Sequence, residues 1–325
     1  MALALVVLFS LASPRAHADT LSPSILSLFP KNASELAYSD FAHVRQFPWF
    51  AQFKRQTLPT GFSELDAFLS SINIDPNRQI DQLAWALIAS DSSAVPSSPH
   101  QLPANDDLLG IALGNFDTPS AEALLEKNKT PSIVSAGYTF YPCGPACHGF
   151  YFLFLDSGTI AFGKPSLLLQ MLQVRSGAQE SILANPLLYP LIRQVNGSGI
   201  FWGVLNDAGT RAALLQLLPE AGNFPDVSKL ISKMHAMTIA IDGQNELDAV
   251  LNVSATPDDA LQLSQLLQAA LLYRQFQTAK DDPQFAKILQ NISVVPAGPG
   301  LQITFSLTSD QMVSLLQHNT FSPKI

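Results

Sequence analysis

A chain of 325 residues is long for one compact domain and suits about two. Hydrophobic residues make up 47% of it and charged residues only 14%, well under the roughly 25% of an average globular chain, so large cores are available. A net charge of −8 and a pI near 5.1 exclude a binder of polyanions. Neither a phosphate backbone nor an anionic bilayer surface attracts such a chain, and no nucleic-acid partner is expected.

The first element is an apolar run, Leu3 to Ala12, followed by Ala16-His17-Ala18. The run is too short to span a bilayer core needing about 20 residues, and the small-x-small triplet is a cleavage signature. Residues 1–18 are therefore expected to be a signal peptide, sending the rest to the periplasm or outside the cell. No Cys follows the site, so a lipid anchor is not expected, and no later run predicts a membrane span.

Four elements then occur twice in the same order. Glu35 to Asp40 leads into a helix-like segment, as Gly199 to Asp207 leads into Thr210 to Leu218. The buried-strand run Leu83 to Ala89 corresponds to Ala236 to Ile241. Leu109 to Gly114 corresponds to Leu247 to Asn252, both with the alternation of a half-buried strand. Each of these is followed at the same distance by Thr-Pro, at Thr118-Pro119 and Thr256-Pro257, with Thr expected as N-cap and Pro at the first helical position. Gly149 to Leu155 is matched with Gly300 to Leu307, each leading to a Leu-rich helix. Thr159 to Phe162 is an extra strand with no counterpart. Ser90 to Asp107, rich in Pro and Ser, is expected as a surface loop. Ser181 to Val195 reads as a helix broken near Pro190, and Asn196-Gly197-Ser198-Gly199 as the turn between copies. The expectation is an α+β chain of two tandem copies, 19–196 and 197–325, each a mainly antiparallel sheet with helices packed on one face.

Within this frame the candidate functional residues are few. Cys143 and Cys147 are the only cysteines and flank Gly144-Pro145-Ala146, between strands expected at 138–141 and 150–155. In an oxidising compartment they are expected to form a disulfide across a hairpin tip. Two other readings use the same residues. A redox centre is like Cys-Gly-Pro-Cys with one residue inserted, but lacks the helix that lowers the thiol pKa. Covalent haem with His148 needs a distal ligand, for which Met234 and His235 are available. Asp40 and His43 have the spacing of an acid–base pair, or of a capping Asp with a polar neighbour, which is the reading preferred. The aromatic segment Phe47-Pro48-Trp49-Phe50 is expected to pack on the sheet. So is the helix from Pro257 to Phe276, through Leu263, Leu266, Leu267, Ala270 and Tyr273.

Signatures of activated nucleophiles, metalloproteases and dinucleotide or phosphate loops do not occur in the chain. Dispersed carboxylates of a hydrolase would leave no such mark. The leading expectation is an exported binding or scaffold protein that meets a protein or an apolar ligand without catalysis, and no cofactor or metal site is assigned. The alternatives are a carrier of lipid or another hydrophobic small molecule, a hydrolase, and a redox or haem protein at Cys143/Cys147.

The order of elements, the phrase Ala33-Ser34-Glu35-Leu36-Ala37-Tyr38-Ser39-Asp40, the segment Arg45-Gln46-Phe47-Pro48-Trp49-Phe50 and Ile80-Asp81-Gln82-Leu83 carry a resemblance. With these residues the chain resembles uncharacterised exported bacterial proteins with duplicated α+β domains. The resemblance implies the fold and the export, and it carries no catalytic residue with it.

Overall fold

The computed structural model describes residues 20–57, 60–88, 107–144, 149–217, 225–243, 246–280 and 282–317. The expected signal peptide and nearly all of the Pro/Ser-rich loop lie outside them. In chain order the elements are α1 (Pro23–Leu26), β1 (Ala33–Asp40), α2 (Phe41–Val44), α3 (Phe50–Thr57), α4 (Thr60–Ser71), α5 (Pro76–Gln79), β2 (Ile80–Ile88), β3 (Asp107–Gly114), α6 (Thr118–Lys127), β4 (Ile133–Ser135), β5 (Tyr138–Pro142), β6 (Tyr151–Asp156), β7 (Thr159–Gly163), α7 (Pro165–Arg175) and α8 (Leu188–Val195). They continue as β8 (Phe201–Leu205), α9 (Asp207–Leu217), α10 (Pro225–Ile231), β9 (Ala236–Gly243), β10 (Glu246–Ser254), α11 (Pro257–Thr278), α12 (Pro283–Gln290), β11 (Ser293–Pro296), β12 (Gly300–Thr308) and α13 (Ser309–Gln317).

The described strands form one twelve-stranded sheet in the order β11-β12-β10-β9-β8-β1-β2-β3-β7-β6-β5-β4, with every recorded pair antiparallel. The α+β class and the antiparallel sheet expected from the sequence are what the chain adopts. At the centre, β1 lies against β8 with Ala37 opposite Gly203. The bonds around that pair are symmetric. Asp40 N donates to Ile200 O at 2.8 Å at one end, and Asn206 N donates to Ser34 O at 2.9 Å at the other. Each of those donors also caps the helix that follows. Asp40 Oδ1 accepts from His43 N, and Asn206 Oδ1 accepts from Gly209 N, both at 3.0 Å.

Outward from the centre the strands run β1, β2, β3, β7 on one side and β8, β9, β10, β12 on the other. This corrects the pairing of Gly149 to Leu155 with β12. The strand that sits beside β3 as β12 sits beside β10 is β7, and Thr159 to Phe162 is thus not an unmatched extra. The two were exchanged because both are short apolar strands preceding a Leu-rich helix, and only the ladder separates them.

The sheet's two faces differ along its length. One face carries α2–α6 and α9–α13, packed over Leu83, Trp85, Phe152, Phe162, Met237, Val253 and Ile303. The other is covered over the N-terminal half and the adjoining β8, where α1, α7, the 3-10 turn Ile182–Ala184 and α8 bury Leu36, Tyr38, Ile111, Leu153 and Trp202. Helices therefore lie on both faces from the N-terminal strands to β8 and on one face beyond it, which corrects the expectation of helices on one face only. Strands buried on both faces read as unbroken apolar runs, as in Leu83 to Ile88, whereas β10 alternates buried and open positions along its length.

Local signals explain the boundaries. Arg45 joins two of the sequence phrases quoted above. Its guanidinium donates to Arg78 O at 2.6 Å, to Ile80 O at 2.5 Å and to Asp81 Oδ1 at 2.8 Å. Trp49 and Phe50 are buried as expected, with Phe47 stacked on Trp49 at 4.9 Å. The N-cap of α6 is Asp117, whose carboxylate accepts from Ser120 N, so Thr118 is the first helical residue and not the cap. Acidic and hydroxyl caps compete at adjacent positions, and the carboxylate prevails here. Asn185 starts the segment leading into α8 by accepting from Leu187 N and Leu188 N, and Pro190 sits in the first turn of α8, where its missing N–H breaks no ladder bond.

Candidate interaction surface

The longest helix, α11, is tied down at its start and middle. Thr256 caps it by accepting from Asp259 N at 3.2 Å and donating to Asp259 Oδ2 at 2.7 Å. Lys233 donates to Asp259 Oδ1 at 2.6 Å, and Gln268 Nε2 donates to Val294 O at 2.6 Å. Hydrogen bonds from Lys233 and Thr256 hold the Asp259 carboxyl below its ordinary pKa.

Burial on α11 follows a narrower stripe than expected. Ala260, Leu263 and Leu267 are buried, with Ala270 and Leu271 half-buried beside them. These residues span about 100° of arc, all that a helix lying on a sheet covers. Leu266 and Tyr273, expected against the sheet, fall outside that arc and are exposed, which corrects the reading. The outward face comprises Leu261 (49% exposed), Leu266 (39%), Leu272 (65%), Tyr273 (63%) and Phe276 (79%), interspersed with Gln262, Gln265 and Ala269. Between Asp258 and Lys280 this face holds no charged residue. At about 200 Å² per large side chain it leaves on the order of 600 Å² of apolar surface in water, the upper limit of what monomers usually show.

The other chemically distinct places are more conventional. Under α3 and α4, the Lys54 ammonium pairs with the Asp66 carboxylate, sits 5.5 Å from the Phe41 ring and donates to Asn77 Oδ1 at 3.3 Å. The neighbouring apolar cavity, lined by Leu65, Leu83, Ile160 and Phe162, measures about 10 Å³, room for roughly one water. Burial raises the Asp66 pKa against the lowering effect of Lys54. On the opposite face a shallow cleft of about 490 Å³ opens between α1 and α7, with Ser24, Ser27, Asp156, Arg175 and Ser181 among its walls. Arg175 stacks over the Tyr138 ring at 5.6 Å, and the Asp156 carboxylate is turned into its own hairpin, accepting from Gly158 N.

The residues singled out in the sequence lie apart. Asp40 is buried and caps α2 through His43 N, so the pair is a cap and its neighbour. The His43 ring lies 6.2 Å from Phe47. Cys143 follows β5 directly with its side chain buried, and its N–H donates to Phe150 O, extending the pairing of the expected hairpin between β5 and β6. Cys147 and His148 lie outside the described residues. Met234 is fully buried near Ile231 and Met237, whereas His235 is exposed. Among the described residues no three His, Cys, Asp or Glu side chains are grouped to hold a metal ion. No described helix is long and apolar enough to cross a membrane.

In the sequence α11 is legible as a helix with one broad apolar face directed at the sheet. Which of its apolar residues stay outside depended on the stripe the sheet takes.

No protein-family model matches the chain, and no curated protein matches it. Among solved structures it is similar to two crystal forms of TP0453. Form III matches at 11% identity and a TM-score of 0.50, covering 92% of this chain and 99% of that one. Form IV matches at 12% identity and a TM-score of 0.50, covering 93% and 97%. At this identity the likeness shows a shared fold.

Proposed function

We propose that this chain is an exported binding protein that acts by docking and not by catalysis, with the outward face of α11 as its contact surface. One observation carries the reading. Five large apolar side chains stand 39–79% exposed on a single uncharged helix face, where the other large apolar side chains among the described residues are mostly buried. Covering about 600 Å² gains on the order of 15 kcal/mol gross at ~25 cal/mol per Å². Association costs of about 4–15 kcal/mol offset much of that gain, so a partner holds to this face by adding buried apolar surface of its own. The apolar run Leu3 to Ala12 and the triplet Ala16-His17-Ala18 support export, and the symmetric register about Ala37 and Gly203 supports reading 19–196 and 197–325 as two copies of one unit. A Cys143–Cys147 bond belongs to the same reading, closing the hairpin tip in an oxidising compartment.

The test is a photo-cross-linking residue placed at position 276, with position 252 on the open polar sheet face as control. In native envelopes, position 276 is expected to give a discrete adduct that Leu272→Glu abolishes. Absence of an adduct at 276, or the same adduct from 252, would sink the reading.

A further inference from the structure

The spacing of the exposed residues on α11 says what kind of surface they fit. Gln262, Leu266, Ala269, Tyr273 and Phe276 follow one another at intervals of four, three, four and three. That alternation is the seam of a helix that packs lengthwise on another helix, since it repeats every seven residues. Ala269 at the middle of the seam is small enough to let two backbones approach. The larger Leu272 and Phe276 lie to one side of it along the chain, and Leu261 and Leu266 to the other.

Charge selects the partner helix and its direction. The face is bounded by Asp258 at its start and Lys280 at its end, both exposed, and carries no charge between them. A second copy of the same face, laid antiparallel about a two-fold axis near Ala269, brings each Asp258 towards the other copy's Lys280. A parallel arrangement would put like charges together at both ends. The chain's net charge of −8 opposes self-association over most of its surface, and this uncharged strip is free of that cost.

Resting on the docking reading above, we infer that the occupant of this face is a second copy of the chain, and that α11 pairs antiparallel with its own copy in a two-fold dimer. Two faces of about 600 Å² bury on the order of 1,200 Å², the lower end of stable specific interfaces. The interface is isologous, so it closes after two copies and does not propagate.

Sedimentation equilibrium on the full chain tests this. The wild type is expected at twice the chain mass, and Phe276→Glu at the chain mass with unchanged circular dichroism, because that side chain is 79% exposed. Asp258→Lys is expected to weaken the dimer roughly tenfold by opposing two lysine pairs. Adding Lys280→Asp to it restores wild-type affinity, which a merely structural role for Asp258 would not produce. A dimer indifferent to Phe276→Glu and to the charge exchange overturns the inference. So does a wild-type monomer at every concentration. In that last case an adduct at position 276 keeps the docking reading alive with another occupant, and flotation of the monomer with neutral phosphatidylcholine vesicles would identify that occupant as lipid.

Discussion

At the scale of single residues, the buried pair of Lys54 and Asp66 is the sharpest test of the energetics. Lys54 is 9% exposed in its side chain, so Lys54→Met leaves the Asp66 carboxylate without its counter-charge where burial already disfavours the ionised form, and is expected to cost about 3–5 kcal/mol at neutral pH. Replacing both by apolar residues of similar volume is expected to be neutral or stabilising, as urea unfolding would read. The two shifted carboxyls act in opposite directions with pH. Asp66 binds its proton more readily in the folded chain. Its contribution to stability is therefore fully present below its unfolded pKa and falls as pH rises through the folded one. Asp259 binds its proton less readily when folded, so its contribution is present above the unfolded pKa and is lost as pH falls through the folded one. In a profile of Tm against pH, Asp259→Asn is expected to lower the neutral plateau and flatten the acid limb, with Asp66→Asn steepening that limb. The Thr256-Pro257 start read from the sequence puts Asp259 in the first turn of a helix. It could not mark Lys54 and Asp66 as partners, because only the fold of α3 against α4 joins them.

At the scale of elements, caps and close approaches were partly legible. Asp117 and not Thr118 caps α6, so Asp117→Ala is expected to lower the unfolding midpoint while Thr118→Ala changes it little. Gly110 in β3 faces Phe162 across the ladder, and a Cβ there would stand 1.9 Å from the ring. Gly110→Ala is expected to cost about 1–3 kcal/mol by forcing the ring aside, measurable by denaturant unfolding. The sequence presented this residue as a small position in an alternating strand and was silent on the ring above it. The hairpin of β5 and β6 was read correctly from its flanking strands. The bond expected between Cys143 and Cys147 is checked by alkylation, with no thiol modified until a reductant is added. Along α11 the helical periodicity was plain, yet it could not say which hundred degrees the sheet would cover.

At the scale of the whole molecule, the continuous sheet makes the two halves share a core at β1 and β8. Tyr38 and Trp202 stack across that seam at 5.5 Å, and both are fully buried. Truncating Trp202 to Ala is expected to cost about 3–5 kcal/mol. Because the seam is internal to one sheet, near- and far-ultraviolet circular dichroism of the wild type are expected to report one coincident unfolding transition. Two separated transitions would mean that the halves fold as independent bodies joined only by a linker.

By itself the sequence determined what depends on neighbours along the chain. It settled the class of structure, the principal strands, the Asp40 and Thr256 caps and the hairpin around Cys143, because hydrophobic period and turn chemistry are local properties. Only the tertiary structure decided what depends on distant partners. Those were the fusion of the described strands into one sheet, the place of β7 and not β6 beside β3, the burial of Lys54 with Asp66, and the choice of which apolar residues of α11 remain in water. Each is a competition among several sequence-compatible contacts, and it is resolved by which pairing buries the most surface while leaving every ladder bonded.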